Sequence, residues 1–192
     1  MSYTELGTLV STMIKKSRYE HCLRVRECAS DLAFRFAPSL ITDACYVGIF
    51  HDAFRYLDGE ECLLICRQAG LNIEAEEEEN PMLLHGAVAA LRFGSIVGMC
   101  PESWFLAMRH HTLGSPEMGK LGAILYIADY IEPGRTHLTA ADRSALLAPQ
   151  TLEEIVLLIL ARERAYARQI GRKMAGVSIR LQEYLEKGGN FD

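Results

Sequence analysis

Apolar residues in this chain recur at i, i+3 and i+4 almost from end to end, a spacing that leaves room for little except helices. Short runs such as AILYI at 123–127 would pass for strands alone, but they lie inside longer windows of helical spacing. Neither an alternating β pattern nor an Asn-Gly hairpin signal occurs. Helix starts are marked repeatedly. Ser17-Arg18-Tyr19-Glu20 and Thr151-Leu152-Glu153-Glu154 have the form of capping boxes, and Asn80-Pro81 and Ser115-Pro116 put a polar cap before a first-turn proline. These marks predict helices over 4–15, 18–36, 41–50, 60–69, 82–93, 102–110, 116–131, 139–146, 151–169 and 174–186. The expected fold is one all-α domain over residues 1–192.

Of the 192 residues, 49% are hydrophobic, enough to build a sizeable core for one domain. The net charge of −5 argues against a duplex nucleic-acid binder, so an anionic substrate would have to be drawn by metal ions or a local arginine cluster. The six cysteines contain no CxxC pair and read as small core hydrophobes, including Cys62 and Cys66 on one helical face. The start MSYTELGTLV has no charged-then-apolar leader pattern, and the apolar run at 155–161 is too short to span a bilayer. A cytoplasmic, reducing setting is the expectation. The acidic run from Glu74 to Glu79 is expected to be a solvated connection or a helix start, with nothing in sequence to bury its carboxylates.

Five of the six histidines keep notable company. His21 follows a helix start, His51 precedes Asp52 after an apolar segment, His85 follows Met82-Leu83-Leu84, and His110-His111 closes another apolar stretch. His137 stands apart and reads as a loop histidine. Asp129 lies between Ala128 and Tyr130 in an otherwise apolar helix, where an unpaired carboxylate would cost several kcal/mol to bury, roughly. Metal ions are one common compensation. Imidazole and carboxylate donors without a required thiolate suit iron, manganese, cobalt, nickel or zinc. Seven such donors exceed one tetrahedral site, and two ions sharing a carboxylate would use them all.

The order H…HD…H…HH…D resembles the HD superfamily of metal-dependent phosphohydrolases. More narrowly, RYEHCLRV, GIFHDAFR, LLHGAVA, RHHTLGSPEM and LYIADYIEPGR resemble the YqeK family of bacterial symmetrical diadenosine tetraphosphate hydrolases, over about residues 7–187. The resemblance implies an HD-domain helical bundle, with a core at about 17–135 completed by C-terminal helices at 139–187. It implies that His21, His51, Asp52 and Asp129 hold one metal, and that Asp52 bridges to a second completed by His85, His110 and His111. Iron is the first choice. Adjacent residues on a helix point about 100° apart, so a regular helix aims only one of the pair at an ion. His110 is the preferred ligand; His111 joins it if the helix ends there, or touches phosphate instead. The implied reaction is attack of a metal-activated water on a phosphoanhydride, releasing two ADP.

Arg55, Arg135, Arg18 and Arg24 are candidates to clamp the phosphates, with Thr112 beside them. Positions 18 and 24 lie on different faces of one helix, so both are not expected to reach the site, and Arg135 is favoured through the Pro133-Gly134 turn. The family commonly has lysine three residues after the HD pair, where this chain has Arg55, which keeps the charge but cannot act as a base. A small-molecule nucleotide substrate and a homodimer are the implied partners, with no nucleic acid or membrane. Rival readings are another HD activity on cyclic or mononucleotides, and a nucleotide-binding regulator without turnover.

Overall fold

The computed structural model describes all residues 1–192 and contains helices and no strands. In chain order they are α1 (Tyr3–Met13), α2 (Lys16–Phe36), α3 (Ile41–Phe50), α4 (Gly59–Gln68), α5 (Ala75–Glu79), α6 (His85–Val97), α7 (Glu102–His110), α8 (Gly119–Ile131), α9 (Ala140–Leu146), α10 (Leu152–Gln169) and α11 (Gly176–Glu186). Single 3₁₀ turns at Pro38–Leu40 and Pro81–Leu84 lead into α3 and α6. No helix is long and apolar enough to cross a membrane.

α8 occupies the centre and packs on α2, α7 and α10. Every residue from Leu121 to Ala128 is buried, so this helix is apolar on all sides because it is surrounded on all sides. One hydrophobic cluster runs from Leu6 in α1 to Phe191 after α11. A second, smaller one holds Cys62 and Cys66 against Leu84, Ala87 and Val88. α2 and α3 approach closely at Gly48, where a Cβ would fall 2.8 Å from the Arg26 Cα. That approach brings the middle of α2 against the end of α3.

Three local expectations are corrected. Ser17 does not cap α2. The helix begins at Lys16 after an extended Lys15, and no side-chain cap forms. Buried Ile14 before the cap and core-packed Tyr19 occupy the positions of a hydrophobic staple, so packing sets this start. Pro116 does not open α8 either. Residues Ser115–Met118 close a separate turn, with Ser115 Oγ accepting from the Glu117 N–H at 3.1 Å. Gly119 then takes φ +61°, a left-handed conformation that interrupts any helix begun at Pro116. Finally, the acidic run forms a helix, one of the two expected readings, but its carboxylates are not all left to solvent. Glu77 is buried and grips Arg109 through both carboxylate oxygens, Glu76 accepts from the Gly176 N–H at 2.6 Å, and Glu74 accepts from Arg180 at 2.6 Å. The Thr151–Glu154 capping box does form.

Candidate metal centre

Six side chains from five stretches of chain meet at the centre of the fold. His21 comes from α2, His51 and Asp52 from the end of α3, His85 from the start of α6, His111 from just past α7, and Asp129 from α8. The ligand atoms of His21, His51 and Asp129 lie within 4.8 Å of one another, as do those of Asp52, His85 and His111. Asp52 joins the two groups. Its Oδ2 faces His51 Nε2 at 3.5 Å and His21 Nε2 at 3.6 Å, while its Oδ1 faces His85 Nε2 at 2.8 Å and His111 Nε2 at 3.9 Å.

Three of the imidazoles are oriented by one device. His51 Nδ1 meets the Gly48 carbonyl at 2.9 Å, His85 Nδ1 the Met82 carbonyl at 2.7 Å, and His111 Nδ1 the Met108 carbonyl at 2.8 Å. Each partner is three residues back, within reach because each histidine stands where a helix starts or ends. A carbonyl can only accept, so Nδ1 carries the proton and Nε2 presents a lone pair inward. His21 is held differently, with Nδ1 at 3.1 Å from Glu132 Oε1. Gly86 is required beside His111, since a Cβ there would fall 2.6 Å from the ring's Nδ1.

The inward-facing atoms are therefore nearly all acceptors. His85 Nε2 sits 3.2 Å from His111 Nε2 with no proton between them, and buried His21 Nε2 and His51 Nε2 have no hydrogen-bond partner. Buried lone pairs converging without donors are what a cation requires, so the residues fit divalent metal. Cys22 also lies near His51 and Asp52, but burial pushes its thiol well above the ordinary value, so it stays protonated.

The electrostatics agree. Burial works to raise the Asp52 carboxyl, but His51, His85 and His111 outweigh it and hold the group well below the usual carboxylate range. Burial likewise opposes ionisation of Asp129, and the His21 imidazole 3.1 Å from its carboxylate, with the charge of Arg135, overcomes it. Burial, reinforced by His51 and His85, pushes His111 down to about 3, so it is neutral and able to donate a lone pair.

The arginines stand at the rim. Arg18 Nη1 reaches Asp52 Oδ2 at 3.0 Å, and Arg135 donates to the Asp129 backbone carbonyl at 2.8 Å and to its carboxylate. Arg55 Nη1 lies 3.4 Å from the Met82 carbonyl and 3.5 Å from His85 Nδ1. Arg24 is tied to Glu132, six residues along α2 from Arg18.

The placement of His110 is a correction. It stands outside the cluster, because a helix that runs to residue 110 turns that side chain away from His111. It lines a neighbouring cavity together with Thr112. Burial and the charge of Arg109 push it down to about 4, and its ring has no hydrogen-bond partner in the fold. His137 packs on Tyr130 at 5.2 Å between ring centroids, away from the cluster.

Sequence reasoning missed Glu132. This residue is buried just beyond α8, where it accepts from Arg24 and from the Gly134 N–H at 2.6 Å while holding His21. The available signal was an acid three residues after Asp129, in front of a Pro-Gly turn able to fold it back.

No family model matches the chain. It is 31% identical over 157 residues to the symmetrical bis(5'-nucleosyl)-tetraphosphatase of Bacillus subtilis, covering 82% of this chain and 83% of the relative. It is 32% identical over 136 residues to the enzyme of the same name from Staphylococcus aureus, covering 71% and 69%. Among solved structures, a predicted HD superfamily hydrolase involved in NAD metabolism from Clostridium acetobutylicum superposes with a TM-score of 0.87, at 29% identity and over 98% of each chain. The helical architecture, the convergent histidines and aspartates, and relatives alike over most of their length lead to one assignment: the chain belongs to the family of symmetrical bis(5'-nucleosyl)-tetraphosphatases, within the HD superfamily.

Proposed function

We propose that this protein is a metal-dependent phosphoanhydride hydrolase that cleaves diadenosine tetraphosphate symmetrically into two ADP. The observation that carries this reading is the division of Asp52, one oxygen toward His21 and His51 and the other toward His85 and His111. On this reading His21, His51, Asp52 and Asp129 hold one divalent ion, and Asp52, His85 and His111 hold a second. Iron is the first choice, and cobalt, manganese, nickel and zinc accept the same nitrogen and oxygen donors. Bound there, such ions neutralise charge on phosphoryl oxygens and make water acidic enough to serve as a nucleophile at neutral pH.

The chain's own residues supply the rest. Arg18 and Arg135 each spend one face on an aspartate and expose 26% and 31% of the side chain at the rim. A guanidinium has five N–H donors, so each keeps some for phosphate oxygens. Arg55 adds positive charge beside His85; a guanidinium serves as an electrostatic group and not as a base. Arg24 acts at one remove, through Glu132 and His21. The family resemblance further supports a cytoplasmic homodimer, with sedimentation as its check.

Incubation of the anaerobically purified protein with diadenosine tetraphosphate and ferrous or cobaltous ion is expected to give ADP as sole product. AMP plus ATP would mean asymmetrical cleavage and overturn the assignment. A panel with cyclic and mononucleotides separates the remaining HD activities.

A further inference from the structure

Between α8 and α9 the chain turns through residues 131–138, and this loop serves the metal cluster twice. Glu132 holds His21 Nδ1 at 3.1 Å, and Arg135 donates to the Asp129 backbone carbonyl at 2.8 Å. Little regular structure holds the loop itself. The Ile131 and Leu138 carbonyls receive no backbone N–H, the usual deficit beyond a helix end.

Arg143 on α9 fills that deficit. Its Nε donates to the Ile131 carbonyl at 2.7 Å and its Nη1 to the Leu138 carbonyl at 2.8 Å. Its Nη2 donates to the Arg135 carbonyl at 2.7 Å and is shared with those of Glu132 at 3.1 Å and Pro133 at 3.3 Å. All of these acceptors are backbone carbonyls of one loop, and none is a carboxylate. Bonds from a charged donor are the stronger kind, and the planar fork fixes direction as well as distance. The helix that carries Arg143 has little other use. α9 is capped by Thr139 and Asp142 and pinned through Asp142 by Arg162 at 2.5 Å, yet it buries only Leu146.

We propose that Arg143 is a positioning residue for the metal centre. It clasps the 131–138 loop so that Glu132 keeps His21 aimed into the cluster and Arg135 stays on Asp129. It acts only through that loop. The inference rests on the metal-centre reading above.

The test is cobalt affinity of the full-length protein, measured by chelator competition. Arg143→Ala should weaken binding by about tenfold, the low end for groups that orient metal-bound imidazoles. Arg143→Lys should lose nearly as much, because an ammonium keeps the charge but cannot span the loop as a fork does. Combined with Glu132→Gln, either change should add nothing to the loss from Glu132→Gln alone, since both act through His21. Arg35 supplies the control, because it clamps the Leu147 and Pro149 carbonyls at 2.6 Å each, at the far end of α9. Arg35→Ala should leave cobalt affinity at the wild-type value. Circular dichroism melts check folding, and Arg143→Lys carries the test should Arg143→Ala not fold. Wild-type affinity in a folded Arg143 variant overturns the clasp. So do losses that multiply in the double variant, or a loss in Arg35→Ala equal to that in Arg143→Ala. A wild type that binds no cobalt would sink the metal reading and this inference with it, whereas tight wild-type binding beside indifferent variants sinks this inference alone.

Discussion

Two regions of this molecule bury charge, and they resolve it in opposite ways. Where α5 meets α7, the Glu77 carboxylate receives two bonds from Arg109, whose other contact is the Asn72 carbonyl, and no group is left wanting. At the centre, Asp52 and Asp129 are surrounded by imidazoles whose inward nitrogens are lone pairs, two of them without any partner. A complete network is a structural device, because nothing added to it would bind better than what is there. An incomplete one of equal burial is a binding site. The difference teaches that the count of buried charges says little about function; the count of unsatisfied ones says much.

Paired substitutions break this comparison most directly. Asp52→Ala should abolish turnover and remove most bound metal, and the rise in melting temperature that added metal gives wild type should vanish. Glu77→Ala should do the reverse. It strands a buried guanidinium at a cost of about 3–5 kcal/mol, yet the variant that folds should still melt higher with metal. Calorimetric melts with and without cobalt decide the matter. A metal response in Asp52→Ala, or its loss in folded Glu77→Ala, would erase the distinction between the regions.

Glu132 sharpens the comparison, since it belongs to both kinds of network. It is fully satisfied by Arg24 and Gly134, yet its other oxygen aims His21 at the cluster. Carboxylate partners of metal-bound imidazoles are typically worth 10–100-fold in metal affinity, on the order of what Glu132→Gln should lose in a chelator competition. Glu132→Asp should recover part of it only if the shorter side chain still reaches His21. Unchanged metal affinity in Glu132→Gln would make the residue purely structural.

Much of this was legible in the chain because the signals are periodic or densely repeated. Helical spacing located every long helix, and the H…HD…H…HH…D order collected the cluster residues before any packing was known. The failures share a cause: each depended on a single backbone conformation. Gly119 in a left-handed turn postponed α8, and the end of α7 at residue 110 chose His111 over His110. Glu77 sat inside a run of acids whose members look alike in sequence and differ only in which one faces Arg109. Glu132 lies past a helix end, where periodicity no longer says what a side chain meets.

A half-buried carboxylate lies between the two cases and carries the smallest effect. Glu163 on α10 accepts from the Tyr126 hydroxyl at 2.9 Å, a neutral partner that compensates its charge only in part. Burial, with the charge of Asp129, pushes its carboxyl up to about 7. A raised carboxyl is protonated in the folded chain while the unfolded chain has already released its proton, so folding is penalised as pH rises from about 4.5 to about 7 and stays penalised above. Glu163→Gln removes the ionisable group and keeps the shape. It should raise the melting temperature at pH 8 by about 2–4 °C, as roughly 1 kcal/mol does in a chain of this size, with the gain shrinking toward pH 4.5. A gain equal at both pH values would mean that Glu163 ionises freely in the folded protein, and that its phenol partner completes the site as fully as an arginine would.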